Sequence, residues 1–578
     1  MKSKKIWKLR QLNSQIEQTF ISELGLSHVL SEILARRPLH SLEELKDFLQ
    51  PSLKNLKEPY QFVDMEKAAG RIVKAITTGE HIGLFGDYDV DGVCSTALLS
   101  QFLDMCGAQF SSTLPNRMNE GYGLSVAGVD RLHQQGAQLI ITADCGITAH
   151  AQIDYARSLG IEVIVVDHHE VGDSLPNAYA VVNPKRQDCE SDASYLCAAG
   201  VCFFLVLAIR RILREQNFFS MEAQPDVKKL LDLVALATVS DVVPLIKDNR
   251  ILIKAGLAIL KKGQRIGLNA LLEASKINRQ KISSTNLGFH LGPRINAAGR
   301  LEDATQALFL LNQKDSQKAL TTAYELDVIN QERKEIERAT VEEAIAIVES
   351  WPDYQQLPAL VLHQEHWHPG VVGIVASRVA EYFHRPSIII GEKGKGSGRS
   401  IPGIDLHDMV LKSSQSLSGF GGHAHAIGLT LGTQGAEQFR KDLLRTFSKS
   451  VDQEIFIKKI SYDAELDLSQ ISLALVDELS LLEPCGAKNP HPVIRINGCF
   501  MRNLRRLNGG HLKGEIENSK GRASFIAFRT DISDELVSTP LDILAVIEKN
   551  EWLGNVSAQL RLLDYKRSEG MISSSPYT

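Results

Sequence analysis

Between residues 80 and 245 short apolar runs alternate with amphipathic stretches. Residues 81–85, 139–141 and 163–166 read as strands, and residues 95–105 and 149–158 as helices between them. Strands that are apolar at consecutive positions belong to a parallel sheet buried on both faces. In such sheets ligands bind beyond the carboxyl ends of the strands. An aspartate follows each of these three strands within a few residues.

The rest of the chain changes texture several times. Residues 1–75 carry apolar positions at helical spacing, through Ile16, Phe20, Ile21 and Leu24 and again through Leu42, Leu45, Phe48 and Leu49. They are expected to form a helical cap on the first α/β domain, which runs over 76–245. Residues 246–355 read as a helical linker whose charged run, 331–349, has the pattern of a solvated face bridging two lobes. A second α/β domain is expected over 356–450, with strands at 359–362 and 387–390 followed by a glycine-rich tract. Residues 455–566 alternate in short strands, with turns at Asn497-Gly498 and Asn508-Gly509-Gly510, and suggest a small β barrel. The fold class is therefore α/β and multidomain.

Composition narrows the function classes. A chain of 578 residues exceeds one core, and 44% hydrophobic with 23% charged residues is globular. A net charge of −5 means that any polyanion must be held by a local basic patch. The eight cysteines include no CxxC pair and read as reduced thiols. The N-terminus, Met1-Lys2-Ser3-Lys4-Lys5, is basic, but no apolar h-region follows it. No apolar run reaches the ~18 residues a membrane span needs. A soluble cytoplasmic protein with no membrane partner is expected.

The chemistry concentrates in four acidic clusters. Gly86-Asp87-Tyr88-Asp89-Val90-Asp91-Gly92 follows the first strand, Thr142-Ala143-Asp144-Cys145-Gly146 the second and Val166-Asp167-His168-His169-Glu170 the third. Ser240-Asp241 follows an apolar helix at 230–239. The first cluster is not a calcium loop, because Leu98 stands where a bidentate Glu is needed and a strand precedes it. One aspartate after a strand is usually a turn or cap residue. Four clusters at one sheet edge repel one another unless cations neutralise them. Carboxylates with imidazole, and no thiolate, suit Mn²⁺ or Mg²⁺. Two such ions about 3.5–4 Å apart polarise a phosphoryl group and activate water.

Asp167-His168-His169 after Asp87-Tyr88-Asp89-Val90-Asp91-Gly92 resembles the signature of the DHH phosphoesterase superfamily. The resemblance continues through the rest of the chain and is closest to its RecJ family of single-strand-specific 5′→3′ DNA exonucleases. Gly288-Phe289-His290-Leu291-Gly292-Pro293-Arg294-Ile295-Asn296-Ala297-Ala298-Gly299-Arg300 is similar to that family's linker motif. Trp367-His368-Pro369-Gly370-Val371-Val372-Gly373-Ile374-Val375-Ala376 and Gly421-Gly422-His423-Ala424-His425-Ala426 resemble its DHHA1 domain. Pro484-Cys485-Gly486-Ala487-Lys488-Asn489-Pro490 resembles the entry to its OB-fold domain.

The resemblance implies a parallel-sheet DHH domain, a helical linker, a DHHA1 domain and an OB-fold barrel. It implies two Mn²⁺ or Mg²⁺ ions on Asp89, Asp91, Asp144, His168 and Asp241, with Asp144 and Asp241 as bridges. His169 would face the scissile phosphate as donor or acid–base group, and Asp167 would orient its neighbours. Asp87 either supports the ligands or joins them. The implied activity is release of 5′-mononucleotides from single-stranded DNA in recombination and repair. A monomer is expected, fed by a helicase and a single-strand-binding protein.

Several residues are candidates for holding the strand. Arg117 can fork onto a phosphate, or pair with Glu120. In Gly394-Lys395-Gly396-Ser397-Gly398-Arg399-Ser400 the glycines allow close approach while Ser397 and Arg399 donate to an anion. By resemblance this second lobe grips the 5′-phosphate. Gly421 and Gly422 permit backbone approach to a nucleotide, His423 and His425 shape that contact, and Arg294 and Arg300 of the linker motif complete the set. In the barrel, Arg502, Arg505, Arg506, His511 and Lys513 form a basic cluster, with Phe500, Phe525 and Phe528 as stacking faces or core. Two rival readings are a phosphodiesterase of short oligonucleotides or cyclic dinucleotides and a non-catalytic nucleic-acid-binding scaffold. The barrel argues against the first and the complete set of carboxylates against the second.

Overall fold

The computed structural model describes residues 5–117, 120–220, 224–528, 538–552 and 554–568, so the basic start Met1–Lys4 lies outside the described residues. Two compact units emerge. One contains Glu58–Asp241 and Gly256–Lys458, and the other contains Trp7–Lys57, Val242–Ala255 and Lys459–Thr578.

The first unit opens with helix α1 (Met65–Thr78) and then a five-stranded parallel sheet. Its strands are β1 (Ile82–Gly86), β2 (Phe110–Thr113), β3 (Leu139–Ala143), β4 (Glu162–Val166) and β5 (Ala180–Val182), in the order β2-β1-β3-β4-β5. Strands β1 and β3 are buried at every position, as expected where helices cover both faces. The helices are α2 (Val90–Met105), α3 (Val126–Gln134), α4 (His150–Ser158), α5 (Ala198–Glu215) and α6 (Leu231–Ser240). The turn from β1 into α2 is tight enough to demand glycine. A Cβ on Gly92 would lie 2.5 Å from the Asp87 backbone nitrogen.

Two helices then pack on each other, the first of them also on the helices around the sheet. A π-helical turn at Leu287–Leu291 leads into α7 (Gly292–Leu301), and α8 (Ser316–Glu349) runs for 34 residues, about 50 Å. The charged stretch of α8 is not simply solvated. Glu337 pairs with Arg333 at 2.7 Å and Arg378 at 3.3 Å, and Glu343 accepts from the buried Trp367 indole at 2.8 Å. Beyond α8 lies a second sheet of β6 (Leu360–His363), β7 (Ser387–Ile390), β8 (Lys395–Arg399), β9 (Leu417–His423) and β10 (Ala426–Leu431), in the order β9-β10-β8-β7-β6. Only β6 and β7 run parallel. Helix α9 (Val372–Phe383) packs on one face, while Phe439 and Phe447 of the helix Gly435–Ser450 fill the other. The glycine-rich tract, with the composition of a loop, is therefore mostly strand, since β8 pairs on both sides.

In the second unit Ile494–Leu507, His511–Asn518, Gly521–Ala527, Asn555–Arg567 and Leu541–Trp552 form a barrel, closed where the last strand pairs back with the first. Asn508-Gly509-Gly510 is a hairpin turn as expected, but Asn497-Gly498 is not. It sits inside Ile494–Leu507 as a bulge, with Gly498 at φ 64. The N-terminal helices are also placed differently from expectation. Phe20, Leu30, Ile33, Leu34, Leu45 and Phe48 share one core with Ile494, Ile516, Phe525 and Leu560 of the barrel. Helical periodicity identifies the buried face of a helix but not its partner, so these helices cap the barrel and not the first α/β domain. Only α1, which packs against α5, belongs with the parallel sheet.

Arg250 ties this second unit together. Its guanidinium is 1% exposed, lies 3.7 Å from the Phe48 ring centre and donates to the carbonyls of Phe48, Leu481, Leu482 and Glu483 at 2.6–2.9 Å. Arg250→Met strands these acceptors without a partner. It is expected to cost about 3 kcal/mol, read as a lowered midpoint in chemical denaturation.

Candidate active site

The carboxyl ends of β1, β3, β4 and β5 deliver Asp87 and Asp89, Asp144, the Asp167-His168-His169 run and Asn183 to one edge of the sheet. The C-terminal end of α6 adds Asp241. Asp89 is the N-cap of α2, its Oδ1 accepting from Asp91 N at 2.9 Å and Gly92 N at 3.1 Å. Asp91 in turn accepts from the first amides of α5, Ala198 at 2.6 Å and Ala199 at 2.8 Å. Asp144 stands at φ 66, a left-handed conformation costing a non-glycine residue about 1 kcal/mol. Such strain clusters at functional positions.

Three overlapping ligand groups form there. Asp91, His168 and Asp241 make one, Asp87, Asp89 and Asp144 another, and Asp144 with His168 and His169 a third, the ligand atoms of each lying within 4.8 Å of one another. His168 Nε2 lies 3.2 Å from Asp144 Oδ1 and 3.6 Å from both Asp91 and Asp241. Asp87 Oδ1, Asp144 Oδ1 and His168 Nε2 are buried without a hydrogen-bond partner. Buried polar atoms are ordinarily satisfied, so these orphans fit a cation's donor set. Oxygen and imidazole donors without thiolate fit Mn²⁺ or Mg²⁺.

The electrostatics point the same way. Burial first, and then neighbouring carboxylates, raise Asp87, Asp144 and Asp241 well above the usual range, and Asp91 to about 6. Burial pushes His168 down to about 3, which leaves it neutral with a lone pair to offer. His169 is the opposite case. Burial opposes its charge, but Asp167 Oδ1 at 2.7 Å from Nδ1 outweighs burial and raises it to about 9. Asp167 is itself locked by the amides of Ile147, His168 and His169 at 2.7–3.1 Å.

The phosphate candidates separate into those that converge and those that do not. Glu120 is taken by Arg131 at 3.1 Å, and Arg117 lies over the Tyr88 ring at 5.1 Å. Burial and the positive charge of Arg117 lower both Arg300, to about 10, and Arg399. These arginines thus face a common space. A cavity of about 460 Å³ opens beside them, lined by Arg117, Tyr122, Pro369, Ser397, Phe420 and Gly421 among others. A Cβ on Gly421 would touch nothing, so that face of β9 is open, and His423 feels Glu170, His169 and Lys185 across the cleft.

Arg294 does not converge. It is buried in an ion pair with Asp327 at 2.7 Å and caps the His290 carbonyl. His425 is exposed at the hairpin tip, where its carbonyl accepts from Ser400 N. Gly422, at φ 134, serves the turn, since a Cβ would sit 2.3 Å from Ala426 O. In the barrel Phe525 is core and Arg502 pairs with Glu517 at 2.7 Å, whereas Phe528 is 49% exposed and edge-on to His511.

Residues not singled out from the sequence complete the site. The Tyr122 hydroxyl lies 3.0 Å from His169 Nδ1 and donates to Asp144 O at 3.3 Å. Its flanking glycines, Gly121 and Gly123, both at positive φ, were the available signal. Asn183 Nδ2 donates to His169 O at 3.0 Å, and Asn296 Oδ1 accepts from Val90 N at 3.1 Å. Asn183 has no local pattern that announces it, and Asn296 lies within the linker motif without being marked there as a contact to the site.

Residues 81–238 match the DHH family, N-terminal domain, residues 355–452 the DHHA1 domain and residues 462–564 the RecJ OB domain. Fold and site thus define a protein of the DHH class. Over 571 residues the chain is 38% identical to the single-stranded-DNA-specific exonuclease RecJ of Escherichia coli, spanning 94% of this chain and 97% of that protein. It belongs to the RecJ family. Crystal structures of RecJ from Thermus thermophilus are also similar. The complex with Mn²⁺ has a TM-score of 0.83 at 28% identity, over 99% of this chain and 81% of that one. The complex with Mg²⁺ has a TM-score of 0.78 at 26% identity, over 98% and 79%.

The raised carboxyls carry a sign. A folded value above the unfolded one gives stability at low pH that is lost as pH rises through the folded values, here from about 4 through about 6 and beyond. In chelator at neutral pH, Asp144→Asn should therefore melt higher than wild type. It should also lose most of the rise in melting temperature that Mn²⁺ gives wild type, as read by scanning fluorimetry.

Proposed function

We propose that the protein is a single-strand-specific 5′→3′ DNA exonuclease that uses two Mn²⁺ or Mg²⁺ ions to release 5′-mononucleotides. The observation that carries this reading is the cavity lined by Arg117, Lys395 and Ser397 within one compact unit, which Tyr122, also in its lining, joins to the carboxylate crevice through its hydroxyl 3.0 Å from His169 Nδ1. The relatives named single-stranded-DNA-specific exonucleases support the substrate, and the Mn²⁺ and Mg²⁺ complexes of RecJ support the metal.

One cation site consists of Asp91, His168 and Asp241 and the other of Asp87, Asp89 and Asp144, which makes Asp87 a ligand. Asp144, with Oδ1 3.2 Å from His168 Nε2, would help to hold both cations. When bound, the ions polarise the phosphoryl oxygens and acidify the attacking water. Arg117, Ser397 and Arg399 hold the terminal 5′-phosphate, and the next phosphodiester then reaches the ligands. That anchoring sets the polarity and the product length. Asp167 fixes the His169 ring through Nδ1, and His169 donates a hydrogen bond to the scissile phosphate as charge builds. Tyr122 and Asn183 keep His169 in place. A cleft walled by Tyr122 and Pro369 admits one strand and not a duplex. The enzyme acts as a cytoplasmic monomer on strands that a helicase opens and a single-strand-binding protein presents.

With a 3′-labelled single strand and Mn²⁺, Asp144→Ala and His168→Ala should each lower cleavage about 10³-fold or more, with circular dichroism unchanged. Substantial activity in either variant would remove the metal assignment. Arg399→Ala should reduce the preference for a 5′-phosphorylated over a 5′-hydroxyl end about tenfold or more. An unchanged preference would place the anchor elsewhere. Cleavage confined to di- and trinucleotides would move the function to the short-substrate branch.

A further inference from the structure

Helix α7 runs lengthwise beneath the site. At its N-terminal end Gly292 lies against Ser240, the residue before Asp241, and a Cβ there would meet Ser240 Oγ at 2.4 Å. At its middle Asn296 holds Val90. At its C-terminal end Gly299 lies against Tyr88 O, and Arg300 donates to Gly370 O at 3.3 Å, close to Arg117. The phosphate pocket is thus at one end of the helix and Asp241 at the other. A strand anchored by its 5′ end and drawn past the carboxylates leaves toward the N-terminal end.

The π-helical turn Leu287–Leu291 stands there. Leu287 and Leu291 are completely buried, and Gly288 packs on Val239 of α6. Phe289, between them, is 76% exposed, more than any other large hydrophobic residue among those described. A rigid, anchored turn presents this ring to solvent, roughly 16 Å from Arg300 at the helical rise per residue. π-turns of this kind recur at functional sites. His290 and Lys334 are exposed beside it, each feeling the charge of Arg294, which is itself paired with Asp327.

We propose that Phe289 is a stacking platform for a base on the 3′ side of the scissile phosphodiester, with His290 and Lys334 beside it to meet the sugar–phosphate backbone. The ligand is a nucleobase of single-stranded DNA, whatever its sequence, because every base has a π-face. The inference rests on the exonuclease reading and adds a site on the outgoing strand that the anchor and metals do not supply. It also explains why so large an apolar ring is held in water.

The test is release of the first mononucleotide from 5′-phosphorylated strands of about 12 nucleotides, each carrying one abasic site at a successive position. Wild type should slow about tenfold when one particular base on the 3′ side is missing. Phe289→Ala should be slower on the intact strand and lose the discrimination at that position, while Phe289→Tyr retains it. An Ala variant that keeps the abasic penalty, or that slows equally on every strand, overturns the proposal. Phe289→Trp gives a second reading that needs no turnover. A phosphorothioate-linked strand should quench its fluorescence, and the same strand lacking that base should not. Equal quenching by both strands also overturns the proposal. If wild type releases no nucleotide from any strand, the exonuclease reading fails first and takes this inference with it.

Discussion

Mutual repulsion among buried carboxylates is the constraint around which the first unit is built. Asp87, Asp91 and Asp144 are out of water, Asp241 is half-buried beside them, and all four are close enough to raise one another's proton affinity. Nothing in that crevice is stable alone. The parallel sheet solves the positioning problem, because strands that end together bring residues distant in sequence to one line. The helices answer the electrostatic one in part, with the N-terminal amides of α2 and α5 turned onto Asp89 and Asp91. What the amides leave unsatisfied has the donor chemistry of a divalent-cation site.

Around this centre the packing tolerates little change. Gly92, Gly292 and Gly299 each sit where a single Cβ would strike backbone or a short side chain. Two of them belong to α7, which therefore braces both the turn after β1 and the segment that carries Asp241. The linker helix is thus part of the active-site scaffold. Its arginines divide accordingly, Arg294 buried in the brace and Arg300 facing the pocket.

Much of this was legible in the sequence. Short apolar runs ending in aspartate marked the strands, the sheet edge and the acidic centre, because a buried strand and a ligand-bearing loop each leave a local pattern. The partner of an amphipathic helix leaves none, which is why the N-terminal helices read as a cap on the first α/β domain and not as part of the barrel's core. Glycine spacing was ambiguous for the same reason. The tract at 394–400 is a paired strand and not a loop, and Asn497-Gly498 is a bulge and not a turn. Phe525 and Phe528, three residues apart and alike in composition, ended on opposite sides of the barrel wall, because alternation along a strand is decided by register. Asn183 reaches the site through a tertiary contact that no local signal encodes, while the glycines beside Tyr122 and the motif around Asn296 mark those positions without naming the residues they touch.

The arginines give the second pocket an unusual thermodynamic character. Burial first and Arg117 second disfavour the charged states of Arg300 and Arg399, so the basic residues repel one another as the carboxylates do. The protein by itself holds two clusters of opposite sign, each under self-repulsion. On the proposed function, cations would relieve one and a terminal phosphate the other. On the proposed function, the substrate's end is a missing counter-charge of the fold, so that recognition of a 5′-phosphate and cohesion of the two lobes become a single event.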